Sequence, residues 1–199
     1  FALLCQAAGR AGRGSVPGAV NGNHELWRSD YSKFEAALRD AGVHTMSNIS
    51  IPISRGNAKI ILSGIDDPFT RDGFKMVNRV EEELSQIHVD RNFYNILLFH
   101  RANMLDVFKD KGFDLILAGH MHGGQFRLPN GRGIIAPRSG WGSNSPILFP
   151  KYFAGHYEHS DGTQMIVNRG LGNPMIIPRL FNRPEITVII LKHEKGEKK

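Results

Sequence analysis

The stretch Leu115-Ile116-Leu117-Ala118-Gly119-His120-Met121-His122-Gly123-Gly124-Gln125 limits the fold more than any other. An apolar run this short, bounded by glycine, reads as a buried strand. Two histidines at i and i+2 on a regular strand point to opposite faces. They can turn toward one point only where the strand has already broken into a loop. The glycines supply the backbone freedom for that turn. By itself the pair fits two readings: hydrogen-bonded structural histidines, or ligands of one metal ion or of two adjacent ones.

A second apolar, β-rich run, Phe93 to Phe99, also ends in histidine, at His100. A short helix over about Asn103 to Lys111, closed by Gly112, separates the two runs. Buried strands alternating with helices indicate an α/β layered fold, with polar residues gathered at strand carboxyl ends. Further elements fit this pattern. Pro17 to Asn21 is a strand end feeding a loop. Phe34, Ala37, Leu38 and Ala41 give a helix capped by Asp30 or Ser32, with Ser32 and Glu35 spaced as a capping box and Gly42 as its stop. Ile49–Ile53 and Lys59–Ile65 form a hairpin around Arg55-Gly56-Asn57. A helix is expected from Gly73 to Ile87. Tyr152–His159 and Gln164–Asn168 pair around an Asp161-Gly162 turn. Glu185–Leu191 is a last strand.

At 199 residues the chain can bury a core, and 41% hydrophobic with 22% charged residues is ordinary for a globular protein. No run approaches the roughly 20 apolar residues of a membrane span. The net charge of +6 and a pI near 9.6 would suit an anionic partner. The basic residues are dispersed, though, with no stripe interleaved with aromatics, so no nucleic acid is expected. The single Cys5 excludes an intrachain disulfide framework. Three regions are expected: an irregular N-terminal segment over 1–18, one domain over 19–192, and a solvated basic tail over 193–199.

The polar residues at strand ends are Asn23 with His24, then His100, then His120 with His122. Neutral imidazole nitrogen and an amide oxygen suit borderline divalent ions such as Mn, Zn, Fe or Ni. An amide ligand without cysteine argues against a zinc-finger-type site. Asn23 after Gly22 also fits an ordinary turn residue bonded to local backbone.

Gly22-Asn23-His24-Glu25, the isolated His100 and Gly119-His120-Met121-His122 together resemble the last three motifs of the calcineurin-like metallophosphoesterases. Ile96 to Arg101, Gly123-Gly124-Gln125, Asn168 to Gly172 and Arg183 to Ile186 are similar to a bacterial membrane-associated subgroup. That subgroup includes phosphodiesterases and pyrophosphatases acting on UDP-diacylglucosamine-type lipid precursors. The resemblance implies a layered β-sandwich flanked by helices, the αββα metallophosphoesterase fold. It implies hydrolysis of a phosphate mono- or diester, or a pyrophosphate-linked lipid precursor, by a hydroxide activated at a dinuclear metal site. By position, Asn23, His100 and His120 would ligate one metal and His122 the other. His24 would act at the leaving-group oxygen. Glu25 would orient the His24 imidazole.

The family pattern opens with an Asp-x-His and a Gly-Asp-x-x-Asp, and the residues before Asn23 contain neither Asp nor His. Asp66, Asp67 and Asp106 come in the wrong order to replace them. The domain is therefore expected to be N-terminally truncated, with weak metal binding, impaired hydrolysis and an exposed hydrophobic edge or face. The alternative is a non-catalytic remnant that binds one metal weakly or serves as an interaction module. As written the chain is expected to be soluble, with a parent protein membrane-associated in bacteria. Arg101, Arg169 and Arg179 are candidates for a phosphate contact, and Trp27 and Trp141 for a substrate rim. His44, His88, His156, His159 and His193 read as surface or loop residues.

Overall fold

The computed structural model describes residues 3–7, 16–26, 28–68, 73–137, 147–172 and 178–192. Trp27, Trp141 and the 193–199 tail lie outside the described residues. The architecture is α/β, a mixed central sheet flanked by helices, consistent with the metallophosphoesterase fold.

The chain begins with β1 (Leu3–Ala7) and β2 (Val16–Val20), paired antiparallel with Leu3 opposite Val20. This corrects the irregular reading of residues 1–18. Neither segment carries a regular hydrophobic period, but a strand needs only a partner, and each supplies it to the other. Two helices follow, the four-residue α1 (Asn23–Leu26) and α2 (Tyr31–Asp40). Asp30 takes the N-cap position of α2 without a capping side-chain bond. Its carboxylate is held instead by Arg28, through bonds of 2.8 Å each. Glu35 pairs with Arg39 one turn on, so the expected capping box does not form.

The short β3 (His44–Thr45) pairs parallel with β2 and completes a three-stranded sheet. β4 (Ile49–Arg55) and β5 (Ala58–Gly64) form the expected hairpin, with Ile49 opposite Gly64. Gly56 takes the left-handed backbone the turn needs, φ +56°. α3 spans Gly73–Leu84, and β6 (Tyr94–Arg101) and β7 (Leu115–Gly119) follow. The short helix expected between β6 and β7 is a 3-10 helix, Ala102–Phe108. Two short strands, β8 (Ile135–Ala136) and β9 (Ile147–Leu148), pair within the Gly- and Pro-rich region. The hairpin of β10 (Gly155–Glu158) and β11 (Gln164–Val167) closes the large sheet, whose order is β10-β11-β7-β6-β5-β4.

Alternation along β6 and β7 sorts the core onto two faces. Leu97, Phe99, Ile116 and Ala118 pack with Met76 and Val80 of α3 and with Leu105 and Phe108. Ile96, Leu98 and Leu115 face the other way and pack with Val20, Met46 and Leu62. The second cluster binds the small sheet to the large one. Close approach there needs glycine: a Cβ on Gly64 would collide with the Met46 backbone carbonyl and with Val20.

The expected last strand, Glu185–Leu191, is not one. The segment joins no sheet, and Ile186, Val188 and Ile190 are 78%, 81% and 77% exposed. Its alternating apolar residues have the composition of a strand, but no strand lies beside it among the described residues.

Candidate functional site

The site lies where β2, β6 and β7 end. β2 stops at Val20, and Asn21-Gly22 leads into α1, which begins at Asn23. Asn23 is buried, as is Glu25, whereas His24 is exposed. The Glu25 carboxylate accepts the Gly22 N–H at 2.9 Å, and Glu25 N–H returns to the Gly22 carbonyl at 3.2 Å. This reciprocal pair holds the turn in the manner of a capping box. It gives Glu25 a backbone role in the turn, and its charge also acts on His24.

β6 carries His100 into this corner. Leu98 pairs with Leu117 but Arg101 with Gly119, so the register slips between them. The bulge frees His100 from the ladder and re-aims it. Its ring packs against Gly22, where an added Cβ would sit 2.7 Å from Cε1 and 2.8 Å from Nε2. His100 Nε2 lies 3.2 Å from Asn23 Oδ1. His100 Nδ1 is buried and has no hydrogen-bond partner among the described residues.

β7 ends at Gly119, so His120 and His122 both stand beyond the strand. His120, His122 and Gln125 adopt left-handed backbone, with φ of 67°, 50° and 42°, and Gly123 and Gly124 do the same. Such a run in non-glycine residues is strained and persists only where its surroundings hold it. The histidines separate in consequence. The buried His120 ring meets His100 edge-on, centroids 5.1 Å apart. His122 is partly buried in the 3-10 turn His122–Gly124, within the field of His24 and Arg179.

Burial favours the neutral form of His100, His122 and His24. Desolvation, then the neighbouring His120 and Arg101, hold the His100 pKa well below its usual value. Burial, then the Arg179 and His24 charges, bring His122 down to about 4. Desolvation also lowers His24. Neutral imidazole is the form that ligates a metal or gives a single N–H.

The donors fit part of a metal site. Two atoms each about 2.0–2.2 Å from one ion stand roughly 3 Å apart, close to the Asn23–His100 separation. His120 borders the same point. Among the described residues, no group of three or more His, Cys, Asp and Glu side chains is placed to hold an ion. Among the described residues, two imidazoles and an amide meet at this point, and neither Asp66 nor Asp67 adds to them. The Asp66 carboxylate accepts from Ser47 Oγ at 3.1 Å. The Asp67 carboxylate takes the Arg101 guanidinium at 2.8 and 2.9 Å.

The arginines considered for phosphate contact have structural partners. Arg101 is buried against Asp67. Arg169 pairs with Glu185 at 3.0 Å. Arg179 donates to the carbonyls of Gly172 and Arg169, each at 2.7 Å. Asn182 also carries weight here, because it donates to the His122 and Gln125 carbonyls. His159, read as a loop residue, is half-buried and bonded to Asp161 at 3.1 Å.

Comparison with known proteins finds relatives named metallophosphoesterase. The chain is 28% identical over 172 residues to the uncharacterized metallophosphoesterase YkoQ of Bacillus subtilis, covering 85% of this chain and 57% of that protein. It is 28% identical over 174 residues to YkuE of the same organism, also an uncharacterized metallophosphoesterase, covering 87% and 55%. It is 30% identical over 187 residues to a Bos taurus transmembrane protein with metallophosphoesterase domain, covering 87% and 38%. These relatives support placing the chain in the calcineurin-like metallophosphoesterase superfamily. The chain spans about half the length of the Bacillus relatives it matches. No family model matches it, and no solved structure does. Among the described residues, no helix is long and apolar enough to cross a membrane.

Proposed function

We propose that the chain is the part of a metal-dependent phosphoesterase that supplies Asn23, His100 and His120 to one divalent ion, His122 to a second, and His24 to the leaving group. The observation that carries this reading is the meeting of Asn23 Oδ1 and His100 Nε2 at 3.2 Å, with the His120 ring alongside, at successive strand ends. Similarity to proteins named metallophosphoesterase supports a phosphoesterase function in general. Divalent ions held in such a site neutralise charge on phosphoryl oxygens and acidify a water.

The chain's own residues do the rest. Asn23 gives its amide oxygen, and the buried His100 and His120 give ring nitrogens. His24, exposed at the start of α1 and biased toward neutrality, holds an N–H to donate to the leaving-group oxygen. The substrate class is a phosphate mono- or diester. A relative named phosphodiesterase, YaeI of Escherichia coli, matches over 102 residues and favours the diester. The subgroup resemblance extends the class to pyrophosphate-linked lipid precursors, in a bacterial parent protein associated peripherally with the membrane.

The same reading makes the described residues alone a weak enzyme, because among them two imidazoles and an amide bring no carboxylate to bridge a pair of ions. That observation favours the second reading, a remnant binding one ion weakly. Hydrolysis of bis(p-nitrophenyl) phosphate by the purified chain with Mn²⁺ separates the two. Turnover that disappears in His120→Ala establishes the enzyme. Mn²⁺ binding without turnover establishes the remnant.

A further inference from the structure

We propose that Asp67 and Arg101 form a buried brace that, through Asn21, sets the position of His100 relative to Asn23; for ion affinity this inference rests on the metal-site reading above. The guanidinium bonds the carboxylate through two parallel contacts, Nε to Oδ2 at 2.8 Å and Nη2 to Oδ1 at 2.9 Å. The side chains are 3% and 0% exposed. The backbone N–H of Asp67 then donates to Asn21 Oδ1 at 2.7 Å. Arg101 follows His100 directly, and Asn21 precedes Asn23 by two positions. One chain of contacts thus ties the ends of β2, β5 and β6.

Nothing in the sheet does this work. The ladder between β6 and β7 is interrupted between Leu98 and Arg101, so strand pairing does not fix His100. Asn23 lies past the end of β2, in a helix of four residues. Asn23 thus stands beyond its strand, and His100 stands in the irregularity between the paired Leu98 and Arg101. Burying two charges is costly and is offset only by good geometry with the remaining polar groups bonded. A planar fork on a carboxylate supplies that geometry and directional rigidity, which a lysine would not. Partners behind a ligand of this kind hold its orientation.

The test uses the whole chain with ¹⁵N-labelled histidine. In wild type the His100 Nε2–H, assigned with His100→Gln, donates to Asn23 and resists solvent exchange. Two variants cut the brace. Asn21→Ala removes the link to β2 and keeps the ion pair. Asp67→Leu with Arg101→Met removes both charges together, so no unpaired charge is buried. In both we expect the His100 Nε2–H to exchange at least about tenfold faster and the Zn²⁺ dissociation constant to rise about 10–100-fold, as for losses behind a ligand. Arg101→Lys falls between.

Lower thermal stability with an unchanged His100 signal and unchanged Zn²⁺ affinity would assign the pair to folding alone and overturn the positioning role. A wild type that binds no Zn²⁺, but whose protected His100 signal is lost in the variants, sinks the metal-site reading and leaves the brace standing. A wild type that binds Zn²⁺, with variants that match it in both measurements, does the reverse.

Discussion

Asn182 donates its side-chain amide to the backbone carbonyl of His122 at 2.7 Å, across 60 residues of sequence. The same nitrogen reaches the Gln125 carbonyl at 3.1 Å. These bonds clamp the two ends of the left-handed run His122 to Gln125. Gly123 lies so close beneath that a Cβ there would collide with Asn182 Oδ1. The Asn182 amide therefore shares in holding the strained loop with Arg179 and the Gln125 N–H, which also reach the His122 carbonyl, and with the Leu180 N–H on the Gln125 carbonyl. Asn182→Ala should lower the unfolding free energy by about 1–3 kcal/mol, the usual cost of leaving buried groups unpaired. Asn182→Asp should cost more, because a carboxylate presents acceptors to two carbonyls. Urea denaturation of the three proteins gives the order wild type, Ala, Asp. Equal midpoints would mean the loop holds itself.

Gly22 has a different function, as a floor for the His100 ring. An alanine there would place its Cβ 2.7 Å from His100 Cε1, so the ring or the turn must move. Gly22→Ala should weaken divalent-ion binding in calorimetry by at least about tenfold, on the scale of losses behind a ligand. Gly42→Ala is the control. Nothing lies within 4 Å of that position, but φ is +77°, so it should cost roughly 1–2 kcal/mol of stability and leave ion binding alone.

How far the sequence reveals such features depends on whether the cause is local. The hairpin of β4 and β5 and the two strands ending in His100 and Gly119 follow from apolar runs and a turn glycine, all within a few residues. The α3 pattern continues to Ile87 while the helix stops at Leu84, because Ile87 is buried by a turn that follows it. The misreadings share a non-local cause. β1 exists because Leu3–Ala7 meets Val16–Val20, and Glu185–Leu191 fails as a strand because no partner strand lies beside it. The candidate ligands Asn23, His100 and His120 are legible as polar residues at strand ends and through the family resemblance, but the groups behind them are not. Asp67 and Arg101 stand 34 residues apart and meet only after β5 and β6 have paired. The only hint was an acidic pair at a strand end.

Acid sensitivity should come partly from Asp161. Its carboxylate accepts the backbone N–H of Asp110 at 2.7 Å and of Thr163 at 3.0 Å, with the Thr163 hydroxyl at 3.0 Å and His159 Nδ1 at 3.1 Å. The Asp110 bond leads, and together these hold the carboxyl well below the ordinary aspartate range. A depressed folded value means the stabilisation is complete above the unfolded pKa, near about 3.9, and is lost as pH falls below it. Wild type should therefore lose stability more steeply than Asp161→Asn below about pH 4, while the difference between them stays constant from about pH 5 to 7. Urea midpoints across that range check both the sign and the window. A gap that persists unchanged to pH 2 would contradict it.

The segment Ile186 to Leu191 should limit solubility. Val188 is 81% exposed, Ile186 and Ile190 nearly as much, and Thr187 anchors the segment to Asn168 by a 2.6 Å side-chain bond. A β-prone apolar segment outside any sheet offers its backbone to another chain. A lysine on the exposed side blocks such pairing by charge without disturbing buried contacts. Val188→Lys should thus change the unfolding free energy by less than about 0.5 kcal/mol, as surface substitutions do. The concentration at which light scattering first detects association should rise severalfold. Ile189→Lys, at a position only 37% exposed, should give less relief and cost more stability. Association that is identical in wild type and Val188→Lys would locate the sticky surface elsewhere, with Phe181, Leu148 and Leu171 the next exposed apolar residues to replace.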